Sequence, residues 1–240
     1  MTKILGISGR KQSGKNTVAN IVTGEIIKNK KMVYNSDIDD QGRLMIETSN
    51  ESGDKGWGIF DITRKDEAFT AYAEQELWPF TKVYHFADCL KQLCVSLFDL
   101  TPEQVYGTDD QKNTSTPYSQ NGWKHPMTAR EFLQYFGTDV MREIKDKVWV
   151  DYTIKQILQE QSELSIIPDV RFPNEVNAIQ AAGGVVIRLD RDIFSDNHPC
   201  ECALDRNVFD WDEFDHVINN DGKSLNDLRN EIKNIQSLWR

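Results

Sequence analysis

The sequence predicts an α/β protein built on a parallel sheet of about five strands with helices on both faces. Three observations carry that expectation. Short apolar runs alternate with longer stretches whose apolar residues recur at helical spacing, the pattern left by strands joined through crossover helices. A glycine-bounded loop, Gly9 to Lys15, links the first apolar run to the first helical stretch. Polar residues suited to chemistry, Asp169 and Arg191 among them, fall just after apolar runs, at the sheet rim where open parallel sheets gather ligands.

Each element follows in order. Lys3 to Ser8 reads as a buried strand, and from Lys15 onward Val18, Ile21, Val22 and Ile26 mark the buried face of a helix. Residues 36–79 differ in character and predict a small inserted lobe. Within it, "GRLMIETSNESGDKGWGIFDITR" gives two alternating runs around a turn-rich centre, hence a β-hairpin, and Asp66 to Leu77 is helical. Val83 to Phe86 predicts another strand, followed by the helix "ADCLKQLCVSLF" and a short helix with Pro102 at its first position. Thr108 to Pro126 is polar loop. Thr128 and Glu131 have capping-box spacing and open the helix "AREFLQYF", which Gly137 is expected to end before a further helical pattern.

Leu164 to Pro168 predicts a buried strand ending in Asp169. Pro173 starts a helix running to Ala182, and Gly183-Gly184 stops it. Gly184 to Leu189 is the next strand, and a charged connection covers residues 190–212. Phe214 to Ile218 is the last strand, turned by Asn219-Asn220-Asp221-Gly222 into a closing amphipathic helix. The chain of 240 residues therefore predicts a single domain, 1–240, with the lobe as an insertion.

Composition narrows the function. Lys and Arg number 28 against 38 Asp and Glu, a formal net charge of −10, which argues against non-specific nucleic-acid binding. No segment has the roughly 20 apolar residues that span a bilayer, and the N-terminus lacks a secretory pattern; the expected place is the cytoplasm, with no membrane partner. His198, Cys200 and Cys202 lack a second ligand pair at zinc-site spacing, so the cysteines read as reduced thiols.

The Gly9–Lys15 loop carries the sharpest chemistry. "SGRKQSGKNT" nearly spells G-x-x-x-x-G-K-[ST]. Gly9 and Gly14 let backbone N–H groups, those of Lys11 and Ser13 included, turn toward a phosphate, and the following helix adds its positive end. Lys15 supplies a cation that can follow charge toward a γ-phosphate. Strand before and helix after complete the context of a nucleoside triphosphate site. Asn16 stands where a hydroxyl normally holds Mg²⁺. Its amide oxygen is also a hard donor, Thr17 is a second candidate, and an additional water a third.

A kinase needs a second anion pocket, and cations for one exist. Lys91 lies a turn beyond Asp88, Arg130 and Gln134 share a helix face, Arg171 follows Asp169 by two, and Arg142 and Arg191 add more. Arginine suits a phosphate monoester because its planar fork donates two parallel hydrogen bonds. Several of these residues also have bland readings. Asp88 suits a helix N-terminus, Arg130 a solvated face, and Trp149 a packed core.

In this order, "SGRKQSGKNT", "FADCLK", "AREFLQYFGTDVMR", Trp149, "PDVRFPNE", "GGVVIRLDR", "HPCE" and "VINNDG" resemble the deoxynucleoside monophosphate kinase family of tailed bacteriophages. The resemblance covers most of the chain outside residues 36–79. It implies a P-loop kinase fold and transfer of the γ-phosphoryl of ATP, with Mg²⁺, to a deoxynucleoside 5′-monophosphate for phage DNA precursor supply. It further implies that Lys15 and the loop amides hold the ATP phosphates, that Asp169 organises Mg²⁺, and that Arg171 binds the acceptor phosphate. Asp88, Lys91, Arg130, Gln134, Arg142 and Trp149 would then line the deoxynucleotide pocket. Arg191 would come from a lid over residues 190–212 to stabilise the group in flight, and Asn220 and Gly222 would let the adenine rest on the last turn. His198 and Glu201 match an H-x-x-E in that lid, with Cys200 in place of the commoner Ser. A homodimer is compatible with the resemblance. Two other readings share the loop: a kinase of another small phosphate acceptor, similar to dephospho-coenzyme A kinase, and a nucleotide-binding regulator without turnover.

Overall fold

The computed structural model describes residues 2–50, 52–120, 122, 124–191 and 202–239. In chain order the elements are β1 (Lys3–Gly9), α1 (Lys15–Asn29), β2 (Asn35–Ile38), β3 (Leu44–Ser49), β4 (Lys55–Ile59), α2 (Glu67–Tyr72), β5 (Thr81–Val83), α3 (Asp88–Phe98), α4 (Pro102–Tyr106) and α5 (Asp109–Lys112). Then come α6 (Ala129–Gln134), α7 (Met141–Ile144), α8 (Val148–Glu160), β6 (Leu164–Val170), α9 (Pro173–Ala181), β7 (Val185–Asp190), β8 (His216–Asn219), α10 (Leu225–Asn234) and α11 (Gln236–Trp239). They fall into two compact units, Met1–His85 with Gln156–Arg240, and Phe86–Lys155.

The first unit holds a five-stranded parallel sheet in the order β5-β6-β1-β7-β8. β1 is central, so its apolar residues are covered on both faces and read as a continuous run. The core gathers Leu5 and Ile7 of β1, Val18, Ile21 and Val22 of α1, Ile166 of β6, Ile187 of β7 and Ile232 of α10. Leu44, Phe69 and Leu77 join this same core. Residues 36–79 thus share the apolar interior of the sheet: the β3–β4 hairpin pairs as the alternation predicts, and β2 adds a third antiparallel strand. The small sheet is pinned to α1, since Ser36 Oγ donates to Gly24 O at 2.9 Å and Asn20 Nδ2 donates to Gly42 O at 2.8 Å.

The second unit is helical, around Cys94, Leu100, Val105, Met127, Ala129 and Phe132. Phe98, half-buried, packs against it, with ring centroids 5.0 Å from Phe132 and 5.1 Å from Phe136 in edge-on geometry, the arrangement aromatic quadrupoles favour. Thr128 caps α6 as its spacing predicts.

Three boundaries depart from the sequence reading. Gly137 does not end its helix: α6 continues through a wide π-helical turn, Tyr135–Val140, into α7. Glycine is there for proximity, because a Cβ on Gly137 would come within 2.5 Å of Leu90 Cδ2. The strand expected over Val83 to Phe86 is β5, Thr81–Val83, because its partner β6 pairs Leu164–Ile166 with those residues. The strand expected from Phe214 begins at His216, after a tight 3₁₀ turn at Trp211–Glu213. Apolar runs mark where strands lie, while the partner's register decides where they stop.

Candidate active site

The sheet register brings the candidate residues of the first unit to one level. Ser8 lies beside Val170 of β6, and Gly9 lies beside Leu189 of β7. Asp169 and Arg171 therefore border the loop on one side, and Asp190 and Arg191 border it on the other. Because β1 is flanked on both sides by parallel strands, the loop that leaves its carboxyl end is central on this rim.

The loop itself is built for an anion. Gly14 caps α1 at φ +102°, a left-handed conformation that a side chain disfavours. The helix start has no side-chain cap and no acidic residue in its first turn, so its positive end is left for a ligand. A Cβ on Gly9 would come within 2.2 Å of Ser13 Oγ, and one on Gly14 within 2.9 Å of Asn220 Nδ2; the cradle admits backbone only. Ser13 Oγ is buried with no hydrogen-bond partner among the described residues, as suits a donor kept for a phosphate oxygen. Lys15 Nζ donates to Gly9 O at 2.6 Å and to Arg10 O at 2.8 Å. These residues fit a nucleoside triphosphate.

Asn220 has an additional role that sequence reasoning did not assign. It is 5 % exposed, and its Nδ2 donates to Ser13 O at 2.8 Å. The last sheet turn thereby holds the phosphate loop from behind. Gly222, at φ +66°, has open space around it.

Arg171 sits where β6 gives way to α9. Glu175, 3 % exposed, turns back so that its Oε2 accepts the backbone N–H of Arg171 at 2.7 Å and of Phe172 at 3.1 Å. That carboxylate fixes the peptide carrying Arg171, and the "PNE" spacing after the strand was its only sequence signal.

For a metal, the donor set is sparse. Asn16 is exposed on the first turn of α1 and Asp169 is half-buried on β6. Among the described residues, no cluster of three His, Cys, Asp or Glu could hold an ion. Such a site fits Mg²⁺, which commonly takes one or two protein ligands and completes its shell with substrate phosphates and water.

Beyond β7 lies a cavity of about 230 Å³ lined by Arg10, Arg188, Asp190, Arg191, Asp205, Arg206 and Trp211, with Leu189 and Asn207. Four arginines against two aspartates make it electropositive. Arg206 and Arg188 stand 4.2 and 4.9 Å from the Trp211 ring centre, within cation–π range. Of this group sequence reasoning named only Arg191. Arg188 had a legible signal, a charge inside the apolar strand "VVIRLD"; Asp205, Arg206 and Trp211 had none.

The remaining candidates lie in the second unit. Asp88 is the first residue of α3, and Lys91 Nζ stands 5.0 Å from the Tyr106 ring centre. Burial, with the nearby Asp88 charge, pushes the Tyr106 hydroxyl up to about 12. Arg130 is exposed and pairs with Asp109 at 2.6 Å; Gln134 is exposed and Arg142 half-buried. Trp149 is 4 % exposed and donates its indole N–H to Gly137 O at 2.9 Å. Of its two readings, packing is the one this geometry matches, because both ring and N–H are already spent. His198 and Glu201, within residues 192–201 of the lid expected over residues 190–212, lie outside the described residues.

Comparison with known proteins bears on the family rather than on individual residues. The family model for deoxynucleotide monophosphate kinase matches residues 3–232. A protein of Acanthamoeba polyphaga mimivirus named "Putative deoxynucleotide monophosphate kinase" is 34% identical over 162 residues, covering 61% of this chain and 78% of the relative. The deoxynucleotide monophosphate kinase of Enterobacteria phage T4 is 24% identical over 253 residues, covering 97% of this chain and 98% of the phage protein.

Proposed function

Since the chain belongs to the deoxynucleotide monophosphate kinase family, we propose that it transfers the γ-phosphoryl group of ATP to deoxynucleoside 5′-monophosphates. The observation that carries the residue-level reading is the open cradle at Gly9–Lys15, with Asp169 and Arg171 at the carboxyl end of one neighbouring strand and Arg191 just past the end of the other. Neither alternative acceptor nor a regulator without turnover is favoured by the family match.

In this reading Lys15 exchanges its carbonyl partners for donor phosphate oxygens, and the loop N–H groups with Ser13 Oγ neutralise the β-phosphate. Asn16 and Asp169 hold Mg²⁺ directly or through water; the ion supplies charge neutralisation across the donor phosphates. Arg171 takes the acceptor phosphate, its backbone steadied by Glu175. Arg191 supplies positive charge to the phosphoryl group in transfer. Asp88, Lys91, Arg130, Gln134 and Arg142 hold the acceptor nucleotide, for which Arg130 leaves an exposed and therefore replaceable pairing with Asp109. Little covalent work falls to the protein, so positioning and charge carry the catalysis.

A coupled assay of ADP release with ATP and Mg²⁺ tests this, run against dGMP, dTMP, dCMP, dAMP and their ribose counterparts. At least one deoxynucleotide should stimulate ADP release strongly. If ATP binds and no monophosphate stimulates release, the reading fails.

A further inference from the structure

Arg10 is the first residue inside the phosphate loop, and it has two separate functions in the fold. Its backbone carbonyl accepts Lys15 Nζ at 2.8 Å and the Ser13 N–H at 3.1 Å. Its side chain leaves the loop and meets Asp205, with Nε on Oδ1 at 3.1 Å and Nη2 on Oδ2 at 2.5 Å. The same carboxylate accepts Arg188 Nη2 at 3.4 Å, and Arg188 Nη1 donates to Ser8 Oγ at 3.1 Å. Ser8 and Arg10, on either side of Gly9, are thus tied into one cluster.

Asp205 is well held for this task. Its own N–H donates to Cys202 O at 3.1 Å, and its carbonyl accepts the N–H of Val208 at 2.9 Å and of Phe209 at 2.8 Å. The side chains of Arg10, Asp205 and Arg188 are only 18%, 13% and 5% exposed. With so little water, two-pronged pairing is geometrically strict, and loss of one member leaves a poorly solvated charge.

We propose that Asp205 is a positioning residue for the donor-phosphate loop, acting through Arg10 to fix the peptide that holds Lys15. In this proposal Asp205 acts through Arg10 and not by contact with a reactant. The inference rests on the reading of the Gly9–Lys15 loop as the donor site, and it adds a residue 195 positions away that sets the loop's affinity. Because the tie runs from Asp205 through Arg10 into the peptide that holds Lys15, its removal should act on ATP more than on the acceptor.

The test is Asp205→Asn in the full chain, with ATP affinity measured by calorimetry without acceptor, KM for ATP and for the accepted deoxynucleotide, and the urea midpoint. The expected result is about a tenfold loss of ATP affinity, the size of coupling seen between groups in one charged network, with the acceptor KM within about twofold of wild type. Asp205→Glu should recover part of the loss. In an Arg10→Gln background, Asp205→Asn should add little, since the intermediary is gone. A folded Asp205→Asn protein with wild-type ATP affinity overturns the proposal, as do equal losses for both substrates or strict additivity with Arg10→Gln. Should Asp205→Asn not fold, Arg10→Gln decides: weakened ATP binding supports the proposal and unchanged binding overturns it. Wild-type protein that binds no ATP also overturns it. Wild-type protein that binds ATP but phosphorylates no deoxynucleotide fells the kinase reading alone, because the calorimetric comparison still stands.

Discussion

Replacing Asn220 separates its observed grip on the loop from a role confined to the adenine. In Asn220→Ala the bond from Nδ2 to Ser13 O, 2.8 Å long between buried residues, disappears and no water takes its place easily. An orphaned buried carbonyl costs about 1–3 kcal/mol. The backbone bond from Asn220 N to Asp190 O at 2.8 Å is untouched, so the strand end should stay in register and little else should change. For a protein of this length each kcal/mol moves the melting temperature by roughly 2–4 °C, which gives a fall of about 2–12 °C in a thermal scan without nucleotide. Asn220→Asp is the sharper variant, since it sets a carboxylate against the Ser13 carbonyl and adds negative charge behind a phosphate cradle. It should weaken ATP binding by more than the alanine does. Should Asn220→Ala melt with wild-type protein, the loop does not depend on this bond and the argument is wrong.

Other perturbations test separate parts of the reasoning. Lys15→Met removes the ammonium that rests on Gly9 O and Arg10 O. Turnover should fall by about 10²-fold or more with circular dichroism unchanged; a loss under tenfold would remove Lys15 from the chemistry. Trp149→Phe keeps most of the ring but orphans Gly137 O, so the urea midpoint should drop by the equivalent of about 1–3 kcal/mol with the deoxynucleotide KM unchanged. A raised KM at unchanged stability would return Trp149 to the base pocket. At Glu160 burial acts to raise the carboxyl's pKa, but hydrogen bonds from Lys82 and Tyr84 outweigh it and hold the folded value below the ordinary 4.5. Its stabilising effect is therefore complete above 4.5 and is lost as pH falls through the lowered folded value. The stability gap between wild type and Glu160→Gln should be widest near neutrality and close in acid; a gap independent of pH would contradict that sign.

Much of the fold was legible because its signals are local. The glycine loop, the capping box at Thr128 and the alternation of β3 and β4 each need only a few neighbouring residues to be recognised. Gly137 misled for an instructive reason. Glycine stops a helix when the backbone must turn left-handed, but here it serves close approach to Leu90, and the two uses look alike in a sequence. Trp149 carried the same ambiguity, and what favours packing is a carbonyl twelve residues earlier that a wide helical turn presents to its N–H.

The sequence alone determined the layered α/β architecture and the phosphate loop with Lys15, since periodicity and glycine placement encode them within single elements. Tertiary structure decided who holds that loop in place. Asn220 reaches Ser13 across 207 positions and Asp205 reaches Arg10 across 195, pairings without local signature. They exist because parallel crossovers gather the strand ends on one rim, where a carboxylate or amide from a distant turn becomes the nearest partner for a buried donor or acceptor.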